Sequence, residues 1–458
     1  MPLELVEWLL VTQSKPTNKG ALKVSVSSSG LKCINVSFDD HNLVANAGLI
    51  LVSTLSESLG LCELIEEKVS LAGRVGGANP GRKILSLVHA MTAGASQIDH
   101  VDMLRSGSTQ AVLGHKVMAP STIGTFLRSF TFGHVRQLDS VIDAALRRAW
   151  AMGAGPGENR LVIDIDSTIC EVHGDKKQGA NFGYTKCRCY HPLLAVRADT
   201  GEIVDQRLRK GSANTARGVR RFIKDTIARI RRGGAVGEIV VRFDSGYWSN
   251  ETITLLERLG VRYSMAIRTG TKGVKETIEA IDEDAWCEIE YTPGGEAQVA
   301  ETIYQGRRLV IRRTRLTGKQ AELWPNWRYF GFLTDLGGTT VEADQFQRDR
   351  AVIELAIRDL KDSALEHLPS GNFSANGAWL ACVALAHNLL RWCALLGKIT
   401  APGTLTVSKT IRTRFISIAA RLLNVSGRLV LRGPKRWPWA EQFLSALSNL
   451  RTIQPATG

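Results

Sequence analysis

Leu161-Val162-Ile163-Asp164-Ile165-Asp166 is a short aliphatic run broken by two acids, and Ser167-Thr168 turns the chain after it. A run of this length and composition predicts a buried strand. Side chains alternate between the faces of a strand, so Asp164 and Asp166 leave from the same face. Two carboxylates on one face of an apolar strand are costly to bury without partners, which makes them candidate functional groups.

Outward from this strand, residues 193–196 and 203–208 read as two more, joined by a turn at Asp199-Thr200-Gly201, and the three form an antiparallel meander. A helix over 215–232 follows, with Val219, Phe222, Ile223, Ile227 and Ile230 on one stripe and Gly233-Gly234 as its stop. Strand 239–243, helix 250–259 and strand 263–267 come next. A meander followed by helix, strand, helix, strand is the order of a ribonuclease-H-like α/β layer. Short β-prone runs then make 268–342 a β-rich insertion that carries Trp286, Trp324 and Trp327. The expected fold class is therefore α/β. A ribonuclease-H-like catalytic domain over 158–267 and 343–398 is interrupted by that insertion and followed by a basic helical C-terminal tail over 399–458.

Before the core, 45–153 has helical periodicity throughout and reads as an all-helical DNA-binding region, with Ala154-Gly155-Pro156-Gly157 as a linker. Ser121 is placed to cap a helix that turns Thr122, Thr125 and Arg128 outward, either to read DNA or simply to pack in a bundle. Residues 1–44 are a strand-like extension in which Leu22, Val24 and Val26, then Ile34, Val36 and Phe38, alternate.

The whole chain of 458 residues is 44% hydrophobic and 22% charged, which excludes wholesale disorder. Lys and Arg exceed Asp and Glu by 58 to 44, and the net charge of +14 makes nucleic acid the leading partner. The cations are clustered. Ten fall between 207 and 232 against Asp225 alone, with Arg217, Arg220, Arg221 and Lys224 as expected DNA contacts, and eight fall between 409 and 436 with no acid. A solvated helix face is the plainer account of the first cluster, and phosphate binding the functional one. The N-terminus lacks the charge order of a secretory signal, and the uncharged window 371–390 is too polar for a bilayer, so a buried helix and no membrane partner are expected. The eight cysteines show no paired C-x-x-C spacing and read as reduced cytoplasmic thiols.

Two other places carry candidate chemistry. Asp244 ends the strand Val240-Val241-Arg242-Phe243 and opens Ser245-Gly246-Tyr247-Trp248, where it either meets the first acids or caps the next helix. Arg350, Glu354 and Lys361 are spaced by four and seven, which on one continuous helix puts them on a shared stripe. Carboxylates converging at a sheet edge suit hard divalent cations, and a pair of such ions serves phosphoryl transfer at a phosphodiester.

Asp166-Ser167-Thr168, Asp244-Ser245-Gly246-Tyr247 and Arg350-x3-Glu354-x6-Lys361 together resemble the DDE transposases of bacterial insertion sequences, most nearly the group numbered thirteen-eighty. Gly183-Tyr184 and Tyr190-His191-Pro192-Leu193-Leu194-Ala195 share that look. The resemblance implies Asp166, Asp244 and Glu354 as catalytic and metal-binding residues, with Asp164 able to replace Asp166. It also implies two Mg²⁺ ions, with Mn²⁺ able to substitute. Arg350, Lys361, Tyr190 and His191 would contact DNA, and Trp286, Trp324 or Trp327 would stack on a displaced base if not simply packed in the insertion. Double-stranded DNA, as element ends and target, would be held by a homodimer near the nucleoid. The position where related signatures carry Tyr is Gln347. A nuclease that cuts without joining, a non-catalytic DNA binder with relic acids and, more distantly, a carboxylate-pair glycosidase are the rival readings.

Overall fold

Strands rich in Val and Ile pair side by side into a central sheet. The computed structural model describes residues 34–183, 185–290, 295–316, 327–400 and 404–454. The chain forms two units, Met1–Asp40 and His41–Gly458. In the first, Ile34, Val36 and Phe38 are exposed and lie in no strand, while Leu22, Val24 and Val26 fall outside the described residues. Among the described residues of this unit, 34–40, the expected strand is not formed.

The second unit begins with β1 (Leu43–Val44) and a helical region: α1 (Leu49–Ser58), α2 (Leu61–Lys68), α3 (Pro80–Thr92), α4 (Thr109–Leu113), α5 (Pro120–Arg128) and α6 (Phe132–Ala149). The start of α5 lies earlier than the Ser121 cap suggests. Ala119 is its N-cap and Pro120 its first residue, where the missing N–H costs nothing.

The core strands are β2 (Leu161–Ser167), the short β3 (Cys170–Glu171), β4 (Asn181–Phe182) and β5 (Arg188–Tyr190), then β6 (Leu193–Arg197) and β7 (Ile203–Arg207). After α7 (Val219–Arg232) come β8 (Ile239–Phe243), α8 (Asn250–Arg258), β9 (Arg262–Ile267) and α9 (Val274–Glu279). β2, β6 and β7 are antiparallel, while β2 pairs parallel with β8 and β8 with β9, which is the ribonuclease-H-like arrangement. The strands of the insertion are β10 (Cys287–Glu288), β11 (Gly295–Tyr304), β12 (Arg307–Leu316) and β13 (Arg328–Thr334). β13 pairs antiparallel with β9, so among the described residues one nine-stranded sheet runs β10-β11-β12-β13-β9-β8-β2-β6-β7. The insertion thus extends the core sheet. Gln305 and Gly306, with φ of 50° and 74°, turn β11 into β12.

Beyond it lie α10 (Thr340–Arg348), α11 (Val352–Lys361), α12 (Phe373–Leu396), α13 (Ser408–Ile411), β14 (Ala420–Val425), β15 (Arg428–Arg432) and α14 (Ala440–Thr452). By length and composition α12 could cross a membrane, but 94% of its apolar window is buried, and it packs on α3, α6 and β7 as the central core helix. The tail is helical at both ends and holds a hairpin between them, turned by Ser426 and Gly427 and paired through β14 with β1.

Buried charge ties the helical region to the sheet. Glu202 accepts from the indole N–H groups of Trp150 at 2.7 Å and Trp392 at 2.9 Å, with Arg197 at 3.6 Å. Elsewhere, Asp139 of α6 accepts from Arg136 at 2.8 Å and from Gln206 of β7 at 3.0 Å. Burial, reinforced by the charge of Asp205 and opposed by Arg229 and Arg136, pushes the Asp139 carboxyl up to about 6. The folded state therefore holds this proton more tightly than the unfolded chain, whose carboxyl titrates near 4. Asp139 contributes its full stability below that unfolded value and loses it as pH rises through about 6, a change of about 3 kcal/mol. Asp139→Asn is expected to flatten the fall in unfolding free energy between pH 4 and 7. An unchanged slope, measured by denaturant titration across that range, would remove Asp139 as its source.

Candidate active site at the strand ends

On β2, Ile163 and Ile165 enter the apolar core while Asp164 and Asp166 face α10 and α11. Asp164 lies directly opposite Arg242 of β8 and receives it through two hydrogen bonds of 2.6 and 2.9 Å. Arg242 continues to the carbonyl oxygens of Phe346 at 2.6 Å and Asp349 at 3.3 Å, and lies over the Phe346 ring. Burial pushes the Asp164 carboxyl above the usual carboxylate range, against the pull of Arg242. Asp164 is fully enclosed, and both of its oxygens are occupied by Arg242.

Asp166 stands one step further, at the end of β2. The last registered pair of β2 and β8 is Ile165 with Phe243, so Asp166 and Asp244 follow it side by side. Neighbouring strands lie about 4.8 Å apart. Burial pushes the Asp166 carboxyl up, Arg350 pulls it down, and the charge of Asp244 pushes it up again. The Arg350 guanidinium sits 2.9 Å from Asp166 Oδ2, and Ser167 N donates to Oδ1 at 2.8 Å. Asp244 is exposed and accepts from Ser245 N at 2.6 Å, capping the single turn Ser245–Tyr247, while Ser249 caps α8. Asp244 thus stands beside Asp166 and caps a single turn, not the helix that follows.

Glu354 does not join them. It is exposed in a separate cavity of about 860 Å³, among Arg160, Asp199, Arg348 and Arg358. Lys361 lines a third place, a cleft of about 1060 Å³ where Gly124, Thr125 and Arg128 of α5 face Cys170 and His173. The expected common stripe holds only within α11, which carries both Glu354 and Lys361: a tighter helical turn at Asp349–Ala351 joins α10 to α11 and takes Arg350 off that stripe, towards Asp166. Gln347 is buried, accepting from Ser264 Oγ at 2.6 Å, and so ties α10 to β9.

The other expected DNA contacts divide. Tyr190 and His191 are interior residues, corrected from the surface role. The Tyr190 hydroxyl donates to Gln178 O at 2.8 Å, and His191 Nδ1 lies 2.9 Å from Ala213 O. Their apolar strand continues into Pro192 and Leu193, which draws both inward. Arg217, Arg220, Arg221 and Lys224 are exposed along the start of α7, with Arg221 paired to Asp225 at 3.0 Å and Arg220 3.9 Å from Glu251. Trp327 is half-buried beneath Arg313 and Arg315, at 4.6 and 4.5 Å, and Trp286 is buried under Arg313. Trp324 and Tyr184 lie outside the described residues.

Sequence reasoning missed Arg242, although a lone arginine inside the apolar run Val240-Val241-Arg242-Phe243 already requires a buried counter-charge. It also missed that Arg350 reaches Asp166 itself. As donors, Asp166 and Asp244 fit one hard divalent cation, which commonly takes one or two carboxylates and a substrate phosphate. Glu354 lies in the separate cavity, and among the described residues no group of three His, Cys, Asp or Glu side chains is gathered to hold a metal.

A model of the family described as "Transposase DDE domain group 1" matches residues 26–455. Among solved structures, a piggyBac transposase synaptic complex with hairpin DNA is similar at 11% identity and a TM-score of 0.43, over 81% of this chain and 79% of that one. No curated protein matches the chain.

Proposed function

The chain belongs to the DDE transposase family, and from that premise we propose that it cuts the ends of a bacterial insertion sequence, as in the thirteen-eighty group, and joins them to target DNA. The observation that carries this reading is the placement of Asp166 and Asp244 side by side at the ends of two parallel core strands. Magnesium, or manganese in its place, would supply activation of the attacking oxygen and stabilisation of the leaving one when held there. The chain's own part is to hold the two carboxylates at one edge, to keep the charge of Arg350 beside them, and to present Arg217, Arg220, Arg221 and Lys224 to phosphates. Bringing Glu354 to the pair requires movement of α11 about the turn Asp349–Ala351, which ends three residues before it. Two DNA ends call for two active sites, so a homodimer assembled on DNA in the cytoplasm is the working form.

The test is a strand-transfer assay. Full-length chain is incubated with magnesium, short duplexes carrying the ends of the DNA segment that encodes it, and a target plasmid. Cut ends and joined products are expected. Cutting without joining of pre-cut ends would reassign the chain as a nuclease, and binding without either would leave a non-catalytic DNA binder.

A further inference from the structure

Among the described residues, one buried charge near the acids has no counter-charge in an ion pair. Arg209 follows β7 and is 7% exposed. Its Nε donates to His191 O at 2.9 Å, and Nη1 reaches the carbonyl oxygens of Thr215 at 2.9 Å, Arg217 at 3.1 Å and Asn214 at 3.2 Å. All of these acceptors are neutral, and Nη2 is buried with no partner. Burial pulls the guanidinium below its ordinary range, a sign that the fold leaves the charge poorly answered. With Nε and Nη1 held by carbonyls, Nη2 is the one arm of the guanidinium left to donate a charge-assisted bond to a phosphate oxygen.

Arg209 is in the wall of a cavity of about 280 Å³, together with Arg207, Lys210 and Arg217, and no acid is in that wall. Arg207 is answered by Asp225 at 2.9 Å, whereas Lys210 and Arg217 are exposed. The same wall includes Gly218, the N-cap of α7, which leaves the positive end of a 14-residue helix without a side-chain cap. A water molecule takes about 30 Å³, so the space admits a phosphate with its flanking atoms.

The cavity adjoins the acid pair. The loop whose carbonyls hold Arg209 packs Thr215 on Gly246, where any side chain would meet Thr215 Cγ2 at 2.9 Å, two residues after Asp244. Tyr247, next in line, feels the charges of both Asp166 and Arg209.

We propose that this cavity, one loop away from Asp166 and Asp244, is an anion subsite that takes a phosphodiester of the DNA strand laid across those acids. It rests on the transposase reading for the identity of that strand. The subsite fixes the strand by its backbone, independent of sequence.

The experiment uses the full chain and the double variant Lys210→Gln/Arg217→Gln, whose side chains are exposed and whose loss spares the core, with Arg209→Lys as a second variant that keeps charge but loses the Nη2 donor. Inorganic phosphate should raise the wild-type unfolding midpoint and leave both variants unmoved. Duplex DNA should bind the double variant with a salt slope smaller by about 0.9, the loss of one phosphate contact. A wild-type slope and equal protection by phosphate in the variants would overturn the subsite. Protection by free phosphate with an unaltered DNA slope would also overturn it, assigning the cavity to small anions instead. Strand transfer is scored separately: cutting and joining with a failed slope test sinks only the subsite, and a positive slope test without cutting sinks only the transposase reading.

Discussion

Asp166→Asn is expected to lower strand cleavage and joining about a thousand-fold, equivalent to about 4 kcal/mol of transition-state stabilisation, while duplex DNA binding stays within about threefold. The substitution keeps the shape of the side chain and its bond from Ser167 N, and removes only the charge. Two opposed effects on folding then nearly cancel. Arg350 loses its partner at 2.9 Å, and the repulsion from Asp244 disappears. The unfolding free energy should therefore move by no more than about 1 kcal/mol, the scale of a partly exposed ion pair. Loss of activity with stability preserved is the signature of a carboxylate held for chemistry, since the fold bears the repulsion without needing it. Cleavage assays on element-end duplexes, with binding and denaturant titrations alongside, read all three quantities. Undiminished cleavage by the variant would remove the acid pair as the reactive centre.

The sheet was largely legible because its strands are short Val- and Ile-rich runs bounded by glycines and acids, and the core strand Ile239–Phe243 has the limits read from its sequence. Helix α12 was legible as a buried helix because an uncharged run that still carries Asn376, His387 and Asn388 needs protein partners for those groups; Asn388, for one, hydrogen-bonds both the N–H and the carbonyl of Ile203. The small sheet of β3, β4 and β5 was not, because strands of two or three residues are too short for any period to show. The tail hairpin left a signal that helical periodicity obscured: Ser426-Gly427 between two aliphatic runs is a tight-turn pair, and both residues have positive φ. At the site, the strand-end acids could be found from alternation alone. The break at Asp349–Ala351 could not, since 340–361 contains neither Pro nor Gly, and the sequence therefore reads as one helix with Arg350, Glu354 and Lys361 in line. What interrupts it is tertiary: Arg242 captures the carbonyls of Phe346 and Asp349 at that point.

That capture gives Asp164 its own test. Asp164→Ala should destabilise the chain by about 3 to 5 kcal/mol, because it strands a buried guanidinium that is only 3% exposed. Without Asp164, Arg242 keeps its two carbonyl partners but no charge to balance it, and the anchor of the Asp349–Ala351 turn loosens. Asp164→Ala/Arg242→Met should recover most of the lost stability, since replacing both members of a buried pair with apolar groups is far less costly than removing one. It should not recover cleavage, because the turn that sets Arg350 on Asp166 and precedes Glu354 stays unanchored. Denaturant unfolding in the presence of a chelator separates this from a ligand role. A metal ligand contributes nothing to the stability of the metal-free chain, whereas the buried pair contributes fully. Should Asp164→Ala unfold like wild type under chelation and yet fail to cleave, the carboxylate belongs to the metal after all, and the pairing with Arg242 is a resting arrangement that the working enzyme gives up.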